Sequence, residues 1–164
     1  MNQITTQYVT ENGACYEQYV ITDPAAKTSL TITPERGGMI TGFTLDGDEY
    51  IWTRRPNFSE CNRPRFGVPV LFPSCGNPDG GVHNFDGKAY PMETHGFADL
   101  CGWDVESVGP DGVTLALEST PLTKFLYPFD FTLLVNYNLE GNKAAISLTV
   151  INEGDKPMPF SFGY

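Results

Sequence analysis

Imidazole is the side chain whose ordinary pKa lies closest to neutral pH, so the two histidines are weighed first. His95 stands in Glu93-Thr94-His95-Gly96-Phe97-Ala98-Asp99. The glycine directly after it lets backbone or ligand come close. Taken alone, a single histidine near a strand end is more often a structural hydrogen-bonder than a catalyst. His83, in Gly80-Gly81-Val82-His83-Asn84-Phe85-Asp86-Gly87, reads as the surface residue of a polar turn. The two form no His-x-His pair, which leaves a cupin-type metal site unsupported. Arg65 follows Pro64 and precedes Pro69, so its local backbone is restrained. A guanidinium held this way forks onto vicinal hydroxyls or a carboxylate; the alternative is an ion pair that staples the loop. Asn77, before Pro78, either donates and accepts toward hydroxyls or makes an Asx-turn. Trp52, Phe58, Phe66, Phe72, Phe97 and Trp103 gather around these segments. An aromatic face suits the C–H face of a pyranose, although most such rings serve a core. The chain carries no serine nucleophile elbow, no P-loop and no dinucleotide fingerprint.

The elements that must position these residues alternate with period two. Residues 16–22, 28–33 and 39–45 read as strands, and Asp46-Gly47-Asp48 turns the last of them into 49–52. The pattern returns at 113–118, after the turn at 109–112, and at 131–139 and 144–152, joined by Glu140-Gly141-Asn142. Long alternating runs with short turns between them indicate antiparallel meanders. Residues 53–81 break the pattern with Pro56, Pro64, Pro69, Pro73 and Pro78 and four glycines. Proline at that density blocks regular pairing, and so long an irregular stretch inside a compact domain is more often functional than idle. No helix beyond about two turns is expected, and there is no solenoid repeat. The expected fold class is all-β, an antiparallel sandwich.

A length of 164 residues fits one domain, residues 1–164, with a core that needs neither disulfide nor metal. The net charge of −10 repels phosphate backbones, which argues against a nucleic-acid partner, and it offers nothing to anionic lipid. Cys15, Cys61, Cys75 and Cys101 lack zinc-pair spacing. They read as reduced thiols in a reducing, cytoplasmic compartment. The N-terminus has no signal-peptide pattern, and no apolar run is long enough to span a membrane.

Several segments together resemble one family. They are Glu35-Arg36-Gly37-Gly38, Gly67-Val68-Pro69-Val70-Leu71-Phe72-Pro73, Gly87-Lys88-Ala89-Tyr90-Pro91-Met92 and His95-Gly96-Phe97-Ala98 followed by Trp103-Asp104-Val105. The ending Pro159-Phe160-Ser161-Phe162-Gly163-Tyr164 belongs to the same set. Their order and spacing are similar to the aldose 1-epimerases, or galactose mutarotases, across nearly the whole chain. The resemblance implies a galactose mutarotase-like supersandwich, present here as an incomplete, N-terminal part. It implies interconversion of the α and β anomers of a hexose by acid–base ring opening, without metal or organic cofactor. His95 matches the family's first histidine, beside the sugar ring, and Arg65, Asn77 and Phe97 fall in the substrate-binding segments. The second histidine and the glutamate base of the family lie past the position matching Tyr164, so the resemblance implies that these 164 residues alone are inactive.

Two departures bear on the substrate. Many relatives carry arginine where this chain has Asn77, and Arg65 looks like the surviving arginine of the branch resembling hexose-6-phosphate epimerases. That branch commonly continues with arginine where this chain has Asp99. A carboxylate beside the pocket repels phosphate, which favours a neutral hexose. The alternative functions are a non-catalytic carbohydrate-binding sandwich and a plain structural sandwich. Unpaired sheet edges would further predispose the chain to self-association.

Overall fold

The computed structural model describes residues 2–53, 63–110 and 112–164. The chain opens with a meander: β1 (Gln3–Glu11), β2 (Ala14–Asp23), β3 (Thr28–Thr33), β4 (Met39–Leu45) and the two-residue β5 (Asp48–Glu49). These strands form one antiparallel sheet in chain order. A hairpin follows, β6 (Val82–Phe85) with β7 (Lys88–Pro91). The second large sheet joins β8 (Asp104–Gly109), β9 (Gly112–Glu118), β10 (Phe131–Glu140) and β11 (Lys143–Asn152) in the order β11-β10-β9-β8. The single α-helix among the described residues is α1 (Pro121–Leu126), capped by Thr120, whose hydroxyl accepts from the Thr123 amide. The all-β, antiparallel expectation holds. Among the described residues no helix is long and apolar enough to cross a membrane.

The alternation explains the layers. Ile21, Leu30 and Ile32 point inward from the first sheet. Leu133, Val135, Tyr137 and Leu139 do so from β10, where every second residue is buried. Together with Val113, Leu115 and Phe72 they make one core. Burying each such side chain contributes roughly 1.5–3 kcal/mol. The sheets are also tied by polar bonds: the buried Tyr137 hydroxyl donates to the Gly38 carbonyl (2.6 Å), and Thr28 Oγ1 donates to the Gly141 carbonyl (2.7 Å).

Of the segment expected to run as a strand over 49–52, only Glu49 lies in β5; beyond it the Tyr50 amide still donates to the Phe43 carbonyl (2.9 Å) and the Trp52 carbonyl accepts from the Gly67 amide (3.1 Å). Glu49 Oε1 accepts from the Phe43 and Ile51 amides, both at 2.8 Å, so a carboxylate takes the place of a ladder partner. The proline-rich stretch, where described, runs as loop with isolated bridges Ile40–Val68, Leu71–Gly163 and Phe72–Gly96. Those bridges fasten it across both halves of the molecule. Pro56, Phe58 and Cys61 lie outside the described residues. Cys15, Cys75 and Cys101 are unpaired.

Candidate functional site

His95 and Gly96 are consecutive residues with left-handed backbone, φ 71° and 75°. Histidine pays a steric cost there, so the turn must be held from outside. Three sets of bonds hold it. The His95 amide donates to the Gly76 carbonyl (2.8 Å), and the Gly76 amide donates back to His95 Nδ1 (3.1 Å). The Phe72 carbonyl accepts from the Phe97 and Ala98 amides at 3.0 and 3.1 Å. Arg63 Nη2 donates to the Gly96 carbonyl (2.7 Å), while Nη1 donates to Asp99 Oδ1 (2.5 Å). Glu93 Oε2 stands 3.7 Å from Arg63 Nη2.

The bond at Nδ1 sets the chemistry of the ring. With that lone pair committed to an amide, the neutral imidazole carries its proton on Nε2. Among the described residues nothing bonds Nε2. The half-buried His95 is thus a donor at one edge and anchored at the other.

Asp99 is 1% exposed. Burial pushes its carboxyl above the ordinary range, against the opposing pull of the Arg63 guanidinium. Its second oxygen, Oδ2, is buried with no hydrogen-bond partner among the described residues. The loop that carries it is cradled by Gly37 and Gly38 at φ 72° and 63°. A Cβ on Gly37 would stand 2.5 Å from the Asp99 carbonyl oxygen, and one on Gly38 would stand 2.9 Å from the Trp103 ring. The Trp103 indole donates to the Ala98 carbonyl (3.0 Å). The Glu35-Arg36-Gly37-Gly38 segment therefore shapes the loop after His95 by leaving room for it.

Asn77 Oδ1 accepts from the Thr94 hydroxyl (2.9 Å), so it braces the residue before His95. Asn77, Thr94, Gly96 and Phe97 line one cavity of about 620 Å³, with Met92 and Leu126. Phe97 is otherwise core, 5% exposed. Arg65 is elsewhere. It is exposed and lines a separate open hollow of about 340 Å³ with Tyr50, Trp52 and Phe66. The structure thus brings Asn77 and Phe97 to one cavity beside the turn that carries His95, which does not itself line that cavity, and sets Arg65 in a separate depression of the proline-rich loop. The loop staple anticipated for Arg65 is made by Arg63. His83 is half-buried and stacked on Phe85 (centroids 5.8 Å apart, 13° between planes), more structural than a surface turn residue. No group of His, Cys, Asp and Glu among the described residues is arranged to hold a metal.

A sequence model of the aldose 1-epimerase family matches residues 17–164. The chain is similar to the crystal structure of the Slr1438 protein of Synechocystis sp. PCC 6803 (TM-score 0.86, 31% identity), covering 99% of this chain and 56% of that one. It is similar to a galactose mutarotase-like protein of Lactobacillus casei (TM-score 0.72, 26% identity), covering 96% and 48%. Protein LacX of Lactococcus lactis subsp. lactis is 28% identical over 134 residues, which are 77% of this chain and 43% of LacX. The chain spans about half the length of the relatives it matches.

Proposed function

The chain belongs to the aldose 1-epimerase family, and from that premise we propose that it is the N-terminal part of a sugar epimerase that interconverts the α and β anomers of a hexose, with His95 at the sugar. One observation carries this: the Gly76 amide occupies His95 Nδ1 and leaves Nε2–H as a fixed donor beside the turn that Asn77 and Phe97 also approach. Mutarotation removes a proton from the anomeric hydroxyl and delivers one to the ring oxygen. The ring opens, the C1–C2 bond turns, and the reverse steps reclose it. A donor aimed at the ring oxygen lowers the barrier as that oxygen gains charge. Asn77 is suited to hydroxyls, the Phe97 ring to the apolar sugar face, and Arg65 to hydroxyls that reach its own hollow.

The substrate is a neutral sugar. The guanidinium that touches the turn is committed to Asp99 and faces Glu93 as well, so it has no charge to spare for a phosphate. The same pairing supports a second reading, a sandwich that holds sugar without turnover. Asp99 is bound by Arg63 and buried, and Glu93 is a largely exposed carboxylate 3.7 Å from the same guanidinium, so neither is presented to the sugar as a base.

Polarimetry on freshly dissolved α-glucose or α-galactose tests this, with the 164-residue chain and a longer protein containing it side by side. The longer protein accelerates the approach to equilibrium, and His95→Asn within it loses roughly 10²–10⁴-fold. The 164 residues by themselves do not. Sugar binding by an inactive longer protein would select the second reading, and clear acceleration by the short chain would show that the proton-transfer groups are misassigned.

A further inference from the structure

The turn that carries His95 is gripped by a residue that does not line the cavity beside it. Arg63 has only 18% of its side chain exposed and directs two nitrogens at two different parts of the same turn. One holds the carbonyl of Gly96, the residue directly after the histidine, and the other holds Asp99, three residues on. A planar fork fixes both distance and direction, which a single ammonium does not. The turn it grips has no slack. Gly96 lies against the Phe72 carbonyl, and His95 is bonded twice to Gly76. Rotation of the Gly96 peptide would swing the histidine backbone and break the bond that assigns the imidazole proton.

We propose that Arg63 is a positioning residue, whose guanidinium, through the Gly96 carbonyl and Asp99, locks the His95 turn and thereby fixes the Nε2–H tautomer of His95. Arg63 does not itself meet the sugar. This rests on the proposed role of His95, but it concerns the state of the ring and not the rate, so the two are separable by experiment.

The test uses the 164-residue chain labelled with ¹⁵N. It has only two histidines, so His83→Gln leaves His95 as the single imidazole signal. Long-range proton–nitrogen spectra above the titration range of the ring report which nitrogen is protonated. In the unaltered background the two His95 nitrogens are widely split, with Nδ1 bare. In Arg63→Ala they move toward a common average as both tautomers fill, and the Gly76 amide exchanges with solvent about tenfold faster. Amides of Leu133 and Val135 keep their exchange rates, which shows that the sandwich is intact. Arg63→Lys keeps the charge but not the fork, and the same changes occur at smaller amplitude; this variant decides the matter if Arg63→Ala does not fold. Unchanged His95 nitrogens and unchanged Gly76 exchange in either folded variant would overturn the proposal. Polarimetry on a longer protein judges the sugar reaction separately, since His95 keeps a single tautomer whether or not the reaction is accelerated.

Discussion

Gly96→Ala perturbs the turn at its most crowded point. Gly96 has φ 75°, and a Cβ there would collide with the Phe72 carbonyl oxygen and carbon. Two costs add. A side chain in the left-handed region costs about 1–2 kcal/mol. The Phe72 carbonyl must also move, yet it accepts from both the Phe97 and Ala98 amides, and each weakened bond is worth roughly 0.5–1.5 kcal/mol. The expected loss is therefore about 2–5 kcal/mol. Gly141→Ala supplies the control. Gly141 has φ 61° but nothing within 4 Å of its added Cβ, so alanine there meets only the backbone penalty. Urea unfolding of both variants at fixed pH reads the difference. The midpoint should fall further for Gly96→Ala, equivalent to an extra ~1–3 kcal/mol at unchanged slope. Equal losses would refute the reasoning, because they would mean that the Phe72 contact yields freely and the His95 turn is not rigid.

Asp99 gives a pH signature. Burial raises its folded carboxyl above the unfolded value, so between the two the folded state binds more protons and stability falls as pH rises. Relative to Asp99→Asn, the native chain should lose stability as pH climbs from about 4, the ordinary carboxylate value, and then level off. Urea titrations every half unit of pH measure this, and a rise over the same window would show that Arg63 pairing outweighs burial. The free edge of β11 is expected to pair with that of a second copy, since Ile146 and Ile151 are exposed on it. Phe162 and Tyr164 lie nearby with Leu148 around a small apolar depression. Sedimentation velocity should show concentration-dependent association that Ile151→Lys weakens; a monomer at every concentration would count against it.

The large sheets were legible wherever one strand face is buried and the other wet. β10 buries every second residue and reads clearly, and β3 and β4 fall on the expected spans. β1 is mostly exposed on both faces, so no alternation announces it. Its turn did carry a signal. Asn12-Gly13 and Asp86-Gly87 adopt the same paired left-handed conformation as Asp46-Gly47, with φ near 50° and then near 80–90°. Only the last follows a run of clear alternation, the Met39–Leu45 strand, and so announces its hairpin in the sequence.

The site was legible by residue type but not by parity. Arg63 and Arg65 flank Pro64, and side chains two apart on an extended chain share a side unless the backbone turns between them. Pro64 and Phe66 are buried and Arg65 is exposed, yet Arg63 is only 18% exposed, so the backbone does turn there. What selects the inward arginine is remote in sequence. Asp99 offers a buried carboxylate and Gly96 an unclaimed carbonyl, 36 and 33 residues further on. A charge with a buried counter-charge and a second acceptor is drawn inward; one without them remains in solvent, where it is available to a ligand. The same asymmetry that hid Arg63 from the sequence leaves Arg65 exposed and without an ion pair among the described residues. One arginine thus grips the His95 turn, while the side chain two residues on stays in solvent.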